Sequence, residues 1–388
     1  MKKYLILVVS WLLLGSGQLV KEASDNVWVL PCTELLENYQ DFPAKEWNEV
    51  VLGKGETEHL QVVLNTIPKE KITISSSIPE AFNVHYRMLT DIDGYKDALV
   101  PFVSTIQATG STSVVWLTFE TPRNSQPGTY EYTVSIKTLR NSINLKFKVR
   151  VADYEIPLTP SIPSEFCIDI DNLPDNGSDE QKELWNEFLL SRRIDPYYGK
   201  LIDRNTWRWD NCFSPWPWDD PRSRKLLQDK RFCRFALPCM LEDDELLRMC
   251  NDMEEKGYFD RCYFYIWDEP KTPEHYEQIA KESAHILSLK PNAKMLVPIS
   301  SFLVEGEHKW DYDYTFDFLT KYVKIFPIAA EQYNCENSGA EKFRKLVEPR
   351  AEWWTYVCCG PTGVQPNFLF AQTPFHNRAI MWRVWKEQ

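Results

Sequence analysis

Short runs of alternating apolar and polar residues dominate the chain from about residue 26 to residue 153. Such alternation is typical of strands that bury one face and leave the other in water. Turn residues such as Pro127 and Gly128 separate the runs, and helical periodicity is nearly absent. The clearest runs are residues 59–64, 72–75, 113–119, 130–136 and 144–151. The pattern predicts an antiparallel β-sandwich over residues 26–155.

A proline-rich connector at residues 156–163 marks a change of rhythm, because apolar runs then alternate with stretches of helical periodicity. The strand-like runs are residues 165–170, 194–198, 232–239, 263–267, 294–299, 323–329 and 353–358. The helical stretches are residues 179–192, 242–256, 272–287, 340–347 and 378–386. Repeated strand–helix order predicts a (β/α)8-type (TIM) barrel over residues 161–388. With seven strands and a last helix that runs to Gln388, we expect this barrel to be truncated before its eighth strand.

Residues 263–267, Tyr-Phe-Tyr-Ile-Trp, form a strand pattern that stops on two adjacent acids, Asp268 and Glu269. Pro270 cannot donate to a ladder, and Thr272 is a good N-cap for the helix that follows. The acids therefore occupy a strand-to-helix turn. In folds built from strand–helix units this turn lies at the carboxyl ends of the strands, where active sites are assembled.

Two neighbouring carboxylates suit acid–base chemistry, because repulsion and burial separate their pKa values and leave a proton donor beside an anion. Glycosidases use such a pair. By strand alternation we expect Phe264, Ile266 and Asp268 to face the barrel mouth. An acidic turn that merely complements the dipole of the following helix would use the same residues.

Other strand ends supply candidate substrate-binding residues for the same mouth. They are Trp267, Tyr197, Glu331, Gln332, Tyr333, Trp353, Trp354 and Tyr356, with Asp169, Asp171 and Tyr198 at neighbouring positions. A loop after the second strand adds four tryptophans, Trp207, Trp209, Trp216 and Trp218. They predict either a platform on which sugar rings stack or a hydrophobic plug.

Composition narrows the function classes. A net charge of −12 and the absence of a Gly-rich phosphate loop argue against nucleic acid as a partner. Six scattered histidines without a paired spacing argue against a metal site, and no cofactor is expected. Aromatic residues make up 14% of the chain, which favours a protein with a large apolar core whose other aromatic side chains can stack on sugar rings.

The first residues predict export. Lysines at positions 2 and 3, an apolar run and small residues at positions 15–17 are typical of a signal peptide over residues 1–17, so we expect a bacterial periplasmic or secreted protein. No later segment is expected to span a membrane, and no pattern indicates an oligomeric state. Among the ten cysteines, Cys358 and Cys359 are predicted to be neighbours on a strand that point to opposite faces.

The Trp-Asp-Glu-Pro element, residues 127–130 (Pro-Gly-Thr-Tyr) and the closing helix 378–385 together resemble glycoside hydrolase family 123 and related exported bacterial proteins that share its catalytic domain. The resemblance implies a β-N-acetylgalactosaminidase in which the 2-acetamido oxygen of the sugar attacks its own anomeric carbon. It implies Glu269 as general acid and then base, and Asp268 as the group that orients the acetamido N–H and stabilises the oxazolinium-like intermediate.

Two further functions remain open from the residues. One is a glycan-binding protein with a degenerate site, which the tryptophan loop would suit. The other is a conventional two-carboxylate glycosidase that acts on sugars without an acetamido group.

Overall fold

The structure is a computed structural model, and it describes residues 27–34, 48–140, 142–169, 173, 177–203, 208–300, 312–334, 340–369 and 372–387. The predicted signal peptide, Asp171 and Trp207 lie outside these residues. The chain divides into two compact units, one ending at Glu155 and the other beginning at Ile156. Within the described ranges, no helix is both long and apolar enough to cross a membrane.

The described part of the first unit contains ten strands. In chain order they are β1 (Val27–Pro31), β2 (Glu49–Lys54), β3 (Thr57–Asn65), β4 (Lys71–Ser77), β5 (Asn83–Ile92), β6 (Tyr95–Phe102), β7 (Thr105–Gln107), β8 (Thr112–Glu120), β9 (Gly128–Lys137) and β10 (Ser142–Glu155). They form two five-stranded sheets, β1-β3-β8-β5-β6 and β2-β10-β9-β4-β7.

The two sheets bury one shared apolar core. Tyr132 lies at its centre, stacked on Phe147 with ring centroids 5.9 Å apart and edge-on to Phe119 at 5.7 Å. The pairing is antiparallel except between β2 and β10, which run parallel. The prediction of a purely antiparallel sandwich is therefore wrong at this pair. About a hundred residues separate the two strands in sequence, so no hairpin fixes their relative direction.

The second unit alternates strands and helices. Its strands are β11 (Glu165–Asp169), β12 (Asp195–Asp203), β13 (Arg208–Cys212), β14 (Phe235–Leu237), β15 (Cys262–Tyr265), β16 (Met295–Leu296), β17 (Val323–Ala329) and β18 (Glu352–Tyr356). Its helices are α1 (Asp179–Ser191), α2 (Pro221–Gln228), α3 (Asp243–Glu255), α4 (Pro273–Leu289), α5 (Tyr312–Leu319), α6 (Ala340–Val347) and α7 (Pro374–Glu387).

A strand is present at each of the seven predicted positions, and β14 to β18 form a parallel sheet in chain order. The remaining two, β11 and β12, also pair in parallel, but in a separate sheet that ends in β13. The strand β13 was not predicted, and it runs antiparallel to β12. Because the described strands fall into two sheets, closure into an eight-stranded barrel is not confirmed.

The turn between β15 and α4 is fixed by the start of the helix. Thr272 caps it, because its hydroxyl accepts from the His275 N–H at 3.4 Å, and Pro273 takes the first helical position as predicted. The helix then buries Ile279 and Ile286 against the apolar face of the sheet. These contacts hold the chain on the C-terminal side of Asp268 and Glu269.

The pair Cys358 and Cys359 lies beyond β18, which ends at Tyr356. Their sulfur atoms are 3.6 Å apart, so the prediction that the two side chains point to opposite faces is wrong. Strand alternation does not apply to them because they belong to a turn. The nine cysteines in the described part of the chain are all free thiols.

Candidate active site

The two acids lie in the turn after β15. In this turn the Asp268 side chain points toward the face of the sheet opposite to the one expected. Phe264 and Ile266 pack into the core shared with the helices, whereas Tyr263 and Tyr265 belong to the cluster on the opposite face of the sheet. Asp268 lies with Tyr265. The prediction that Asp268 shares a face with Phe264 and Ile266 is therefore wrong, because the pleat ends three residues earlier, at Tyr265.

Tyr265 holds Asp268 by a hydrogen bond. Its phenol donates to Asp268 Oδ1 over 2.8 Å. Burial raises the pKa of Asp268 and the neighbouring charge of Glu269 raises it further, while the hydrogen bond from Tyr265 lowers it. One oxygen of Asp268 is therefore already engaged, and the other remains for a ligand.

Tyr356 holds Glu269 in a similar way. This tyrosine is the last residue of β18, and its phenol donates to Glu269 Oε1 over 2.5 Å. Burial raises the pKa of Tyr356, and the negative charge of Glu269 adds to the shift. Glu269 itself has a φ of +45°, in the left-handed region that a glutamate rarely adopts. With this backbone conformation, the consecutive residues Asp268 and Glu269 form hydrogen bonds with two different tyrosines.

One residue on β11 and one on β12 lie near Asp268. Tyr197 on β12 is hydrogen-bonded to the thiol of Cys167 on β11, and the charge of Asp268 raises the pKa of both groups. Burial is the larger cause and raises the pKa of Cys167 to about 11. Nevertheless Cys167 is accessible to solvent. The strands β11 and β12 therefore both pass near Asp268.

Glu331 brings a third carboxylate close to the pair. It lies in a 3₁₀ helix, Ala330–Asn334, that directly follows β17. Burial raises the pKa of Glu331, the charge of Glu269 raises it further, and Arg383 lowers it. Its carboxylate packs on Gly360, where a Cβ atom would stand 2.2 Å from Oε2. A side chain at position 360 would require this carboxylate to move.

The remaining candidates near β17 and β18 mostly support one another. Trp353 Nε1 donates to the Tyr333 hydroxyl over 2.6 Å. Gln332 is buried and donates to the backbone oxygen of Ser300 over 3.0 Å. Trp354 packs edge-on against Tyr263, at 5.6 Å between centroids. Gln332 and Trp354 are therefore used within the fold. Tyr333 and Trp353 are half-buried, and both pack against the apolar core of the second unit.

Three tryptophans predicted to bind substrate are buried instead. Trp267 is 7% exposed and packs beside His275, with 5.0 Å between ring centroids. Trp216 and Trp218 are 8% and 7% exposed. Trp216 donates to Asp179 Oδ1 over 2.8 Å and carries the Arg222 guanidinium over its ring. The stacking platform is therefore wrong for this pair, and the hydrophobic plug is the arrangement observed.

Other predicted positions have structural contacts. Tyr198 is 1% exposed and donates to Asn186 Oδ1 over 2.6 Å. Trp209 packs on Gly199, where a Cβ atom would stand 3.3 Å from its ring. Asp169 ends β11 and is half-buried.

Sequence reasoning missed Tyr265, Cys167, Gly360 and Arg383. Tyr265 carried the one available signal, because a phenol three residues before an acid can reach it once the strand ends. The contacts of the other three join segments far apart in sequence. In the parts of the chain described, no group of three or more His, Cys, Asp or Glu residues is placed to hold a metal ion.

Comparison with known proteins bears directly on this site. The model of the glycoside hydrolase 123 catalytic domain matches residues 242–388, which include Asp268, Glu269, Glu331 and Tyr356. No curated protein matches the chain. The resemblance of this part of the chain to family 123 is therefore confirmed.

Solved structures support the fold. A family 123 glycoside hydrolase from Clostridium perfringens, whose structure was used to study glycolipid glycan hydrolysis, covers 94% of this chain and 77% of its own. The identity is 14% and the TM-score 0.54, so the likeness concerns the fold alone.

Two other solved structures match part of the chain. The C. elegans MSP family member WR4 has 8% identity, covers 26% of this chain and 92% of its own, and has a TM-score of 0.18. A PapD-like domain of human CEP192 has 15% identity, covers 37% and 98%, and has a TM-score of 0.19. Scores this low carry no argument about this chain.

Proposed function

Since residues 242–388 match a glycoside hydrolase family 123 catalytic domain, we propose that this glycoside hydrolase removes a β-linked N-acetylhexosamine from glycans by a substrate-assisted retaining mechanism. N-acetylgalactosamine is the expected sugar. One observation carries the proposal: two consecutive carboxylates, Asp268 and Glu269, are each held by a separate tyrosine at the end of a parallel strand.

In the first step, the acetamido oxygen of the sugar attacks the anomeric carbon and the glycosidic bond breaks. Glu269 donates its proton to the leaving oxygen, so the aglycone departs as an alcohol. Tyr356 donates to Oε1, which leaves Oε2 to carry that proton. In the second step, Glu269 removes a proton from water, and the water oxygen opens the oxazolinium-like intermediate with retention.

Asp268 acts on the acetamido group. Tyr265 occupies its Oδ1, and Oδ2 accepts the hydrogen bond from the acetamido N–H. The carboxylate then stabilises the positive charge that develops on the ring of the intermediate. A buried anion beside this charge is worth more than one in bulk water, because the local dielectric constant is lower.

The surrounding residues suit a bound sugar. Tyr197 and Cys167 lie near Asp268, and Glu331 supplies a polar group near Glu269. We also propose that β11, β12 and β14 to β18 are parts of one (β/α)8-type barrel. The contact of Tyr263 on β15 with Glu165 on β11 supports that arrangement. Export remains part of the proposal, on the grounds of residues 1–17 alone.

The test is hydrolysis of two aryl β-galactosides, one with a 2-acetamido group and one with a 2-hydroxyl group, by the purified protein. We expect turnover of the acetamido sugar only, and its loss in Glu269→Gln. Turnover of the hydroxy sugar would instead indicate an enzyme nucleophile and a conventional glycosidase.

The glycan-binding alternative has its own outcome in this experiment. In this outcome neither sugar is hydrolysed, the protein unfolds cooperatively, and wild type and Glu269→Gln bind an amino-sugar glycan equally well. The protein would then be a glycan-binding protein rather than a hydrolase. Circular dichroism of wild type and variant checks that both are folded.

A further inference from the structure

A pair of neighbouring thiols lies close to the candidate site in sequence and in space. Cys358 and Cys359 follow Tyr356 by two and three residues, and both are exposed. Their Sγ atoms are 3.6 Å apart. Two sulfur atoms at this distance touch without being bonded, so they are close enough to join if the peptide between them rotates.

The turn that carries the thiols is well anchored. The Cys358 N–H donates to the Gly360 oxygen over 3.0 Å. Asn367 is 2% exposed, and its Nδ2 donates to the backbone oxygens of Cys358 and Pro361, each over 3.0 Å. The backbone on both sides of the thiols is therefore fixed, and the sulfur atoms stay beside each other.

We propose that Cys358 and Cys359 form an oxidation site, in which the two thiols close to a disulfide between neighbouring residues by exchange with a small-molecule disulfide. One cysteine thiolate attacks a sulfur of the small disulfide and releases one small thiolate. The other cysteine thiolate then attacks the protein-bound sulfur of the mixed disulfide and releases the second. Two protein thiols are oxidised, one small disulfide is reduced to two thiols, and the protons of the cysteines pass to the released thiolates.

The resulting bond is expected to be easily reduced. Neighbouring Cα atoms are about 3.8 Å apart across a trans peptide. Most disulfides join Cα atoms about 4.4–6.8 Å apart, so a bond between Cys358 and Cys359 would be strained. Strained, exposed disulfides have higher reduction potentials and are the labile ones. The modification is therefore reversible by mild thiols.

Formation of the disulfide is also expected to affect the candidate site. The thiols lie between Tyr356, which donates to Glu269, and Gly360, which packs against the Glu331 carboxylate. Gly360 has no space toward Glu331, since even a Cβ atom would stand 2.2 Å from Oε2. We expect rotation of the peptide between the cysteines to disturb one of these two contacts. We therefore expect the oxidised protein to hydrolyse its substrate more slowly. This expectation, unlike the disulfide itself, rests on the proposed function.

The sequence allows the oxidation to be read from one peptide. Cleavage after Arg350 and Arg378 releases residues 351–378, which contain Cys358 and Cys359 and no other cysteine. The full chain is treated with glutathione disulfide, blocked with iodoacetamide, digested with trypsin and analysed by mass spectrometry. Because partial burial raises the pKa of the Cys358 thiol, the exchange is run at mildly alkaline pH.

The expected peptide carries no label and is lighter than the dithiol by two hydrogens, and mild reduction before blocking restores two labels. In Cys358→Ser we expect glutathione to remain on Cys359, because the second thiol is missing. Two labels after oxidation, or stable glutathione adducts in the wild type, would overturn the proposal.

A kinetic measurement tests the link to the site. Oxidation should lower wild-type turnover by about tenfold or more, as small displacements of catalytic groups do. The double variant Cys358→Ser/Cys359→Ser should be insensitive to glutathione disulfide. Equal turnover of the oxidised and reduced wild type would refute the link while leaving the disulfide established. If the wild type hydrolyses neither aryl sugar, the peptide analysis still decides the oxidation.

Discussion

The second unit carries two pairs of acids, one at each end of its parallel strands, and each pair contacts a tyrosine. Asp268 and Glu269 follow the carboxyl end of β15. Glu165 and Asp195 begin β11 and β12, where they face each other in register. Tyr263 donates to Glu165, two positions along β15 from the tyrosine that donates to Asp268.

The two pairs differ in what surrounds them. Burial raises the pKa of Glu165 to about 8 and that of Asp195 to about 7. Asp195 is 1% exposed and accepts from the backbone N–H groups of Cys233 and Arg234 at 3.0 and 2.9 Å. Glu165 Oε1 is buried without a hydrogen-bond partner in the described part of the chain. The largest pKa shifts thus mark the more enclosed acids, whereas Asp268 and Glu269 are the pair for which we propose catalysis.

The sharpest test of this comparison replaces single acids by amides. Glu269→Gln and Asp268→Asn should each lower kcat/KM on the acetamido substrate by about a thousandfold, the usual loss for a general acid or its equivalent. Glu165→Gln should change it by less than about threefold, because Glu165 lies at the opposite strand ends. Steady-state kinetics on natural and aryl substrates measure the effects of these variants. The aryl substrate should be less sensitive to Glu269→Gln, since its leaving group needs less protonation. A large loss of kcat/KM in Glu165→Gln, in a protein of normal stability, would contradict the assignment of catalysis to Asp268 and Glu269.

The tyrosines allow a second, smaller test. Tyr356→Phe removes the donor to Glu269 Oε1 and should lower kcat by about ten- to a hundredfold, the value of one hydrogen bond to a charged group. Tyr263→Phe is its matched control, because it removes the donor to Glu165. It should leave kcat nearly unchanged but lower the free energy of unfolding by about 1–2 kcal/mol. Kinetics and urea unfolding of both variants separate the two roles, and equal kinetic losses would contradict them.

The smallest predicted effect is on stability against pH. The folded-state pKa of Glu165 is about 8, above its ordinary value of 4.5, so the folded protein binds more protons than the unfolded chain between these values. The free energy of unfolding should therefore fall as pH rises from 4.5 to 8. Glu165→Gln should flatten this fall and be more stable than wild type at pH 8 by about 1–2 kcal/mol. Asp195 contributes the same sign between 3.8 and about 7, so some slope should remain.

Urea unfolding at pH 5, 6.5 and 8 measures both slopes. Identical pH dependence of wild type and Glu165→Gln would mean that Glu165 is not the buried proton-binding group that its surroundings indicate.

Much of the fold follows from the sequence because its signals are local. Alternation located five of the ten sandwich strands, and the strand–helix rhythm located all seven parallel strands of the second unit. The strand β13 was missed because Arg208-Trp209-Asp210-Asn211-Cys212 has no apolar alternation. It is held by its pairing with β12 rather than by propensity.

The site was predictable only in part. Residues 263–270 identify the two acids and their strand-to-helix turn, but not the direction of Asp268, since the position where a strand stops pairing depends on its neighbours. Tyr356 was nominated as a strand-end residue, whereas its bond to Glu269 spans 87 residues. The burial of Trp216 and Trp218 also depends on contacts that composition does not specify. Local pattern therefore found the chemistry, and tertiary contacts decided its geometry.

The left-handed backbone at Glu269 implies a conflict between durability and activity. A glutamate in this conformation is disfavoured by roughly 1–2 kcal/mol relative to glycine, so the site is a place of stored strain. Random substitution followed by selection for heat resistance alone would favour glycine or asparagine at position 269 and discard the proposed proton donor. A residue that a thermostability screen would tend to remove is thus the one that the proposed chemistry most needs.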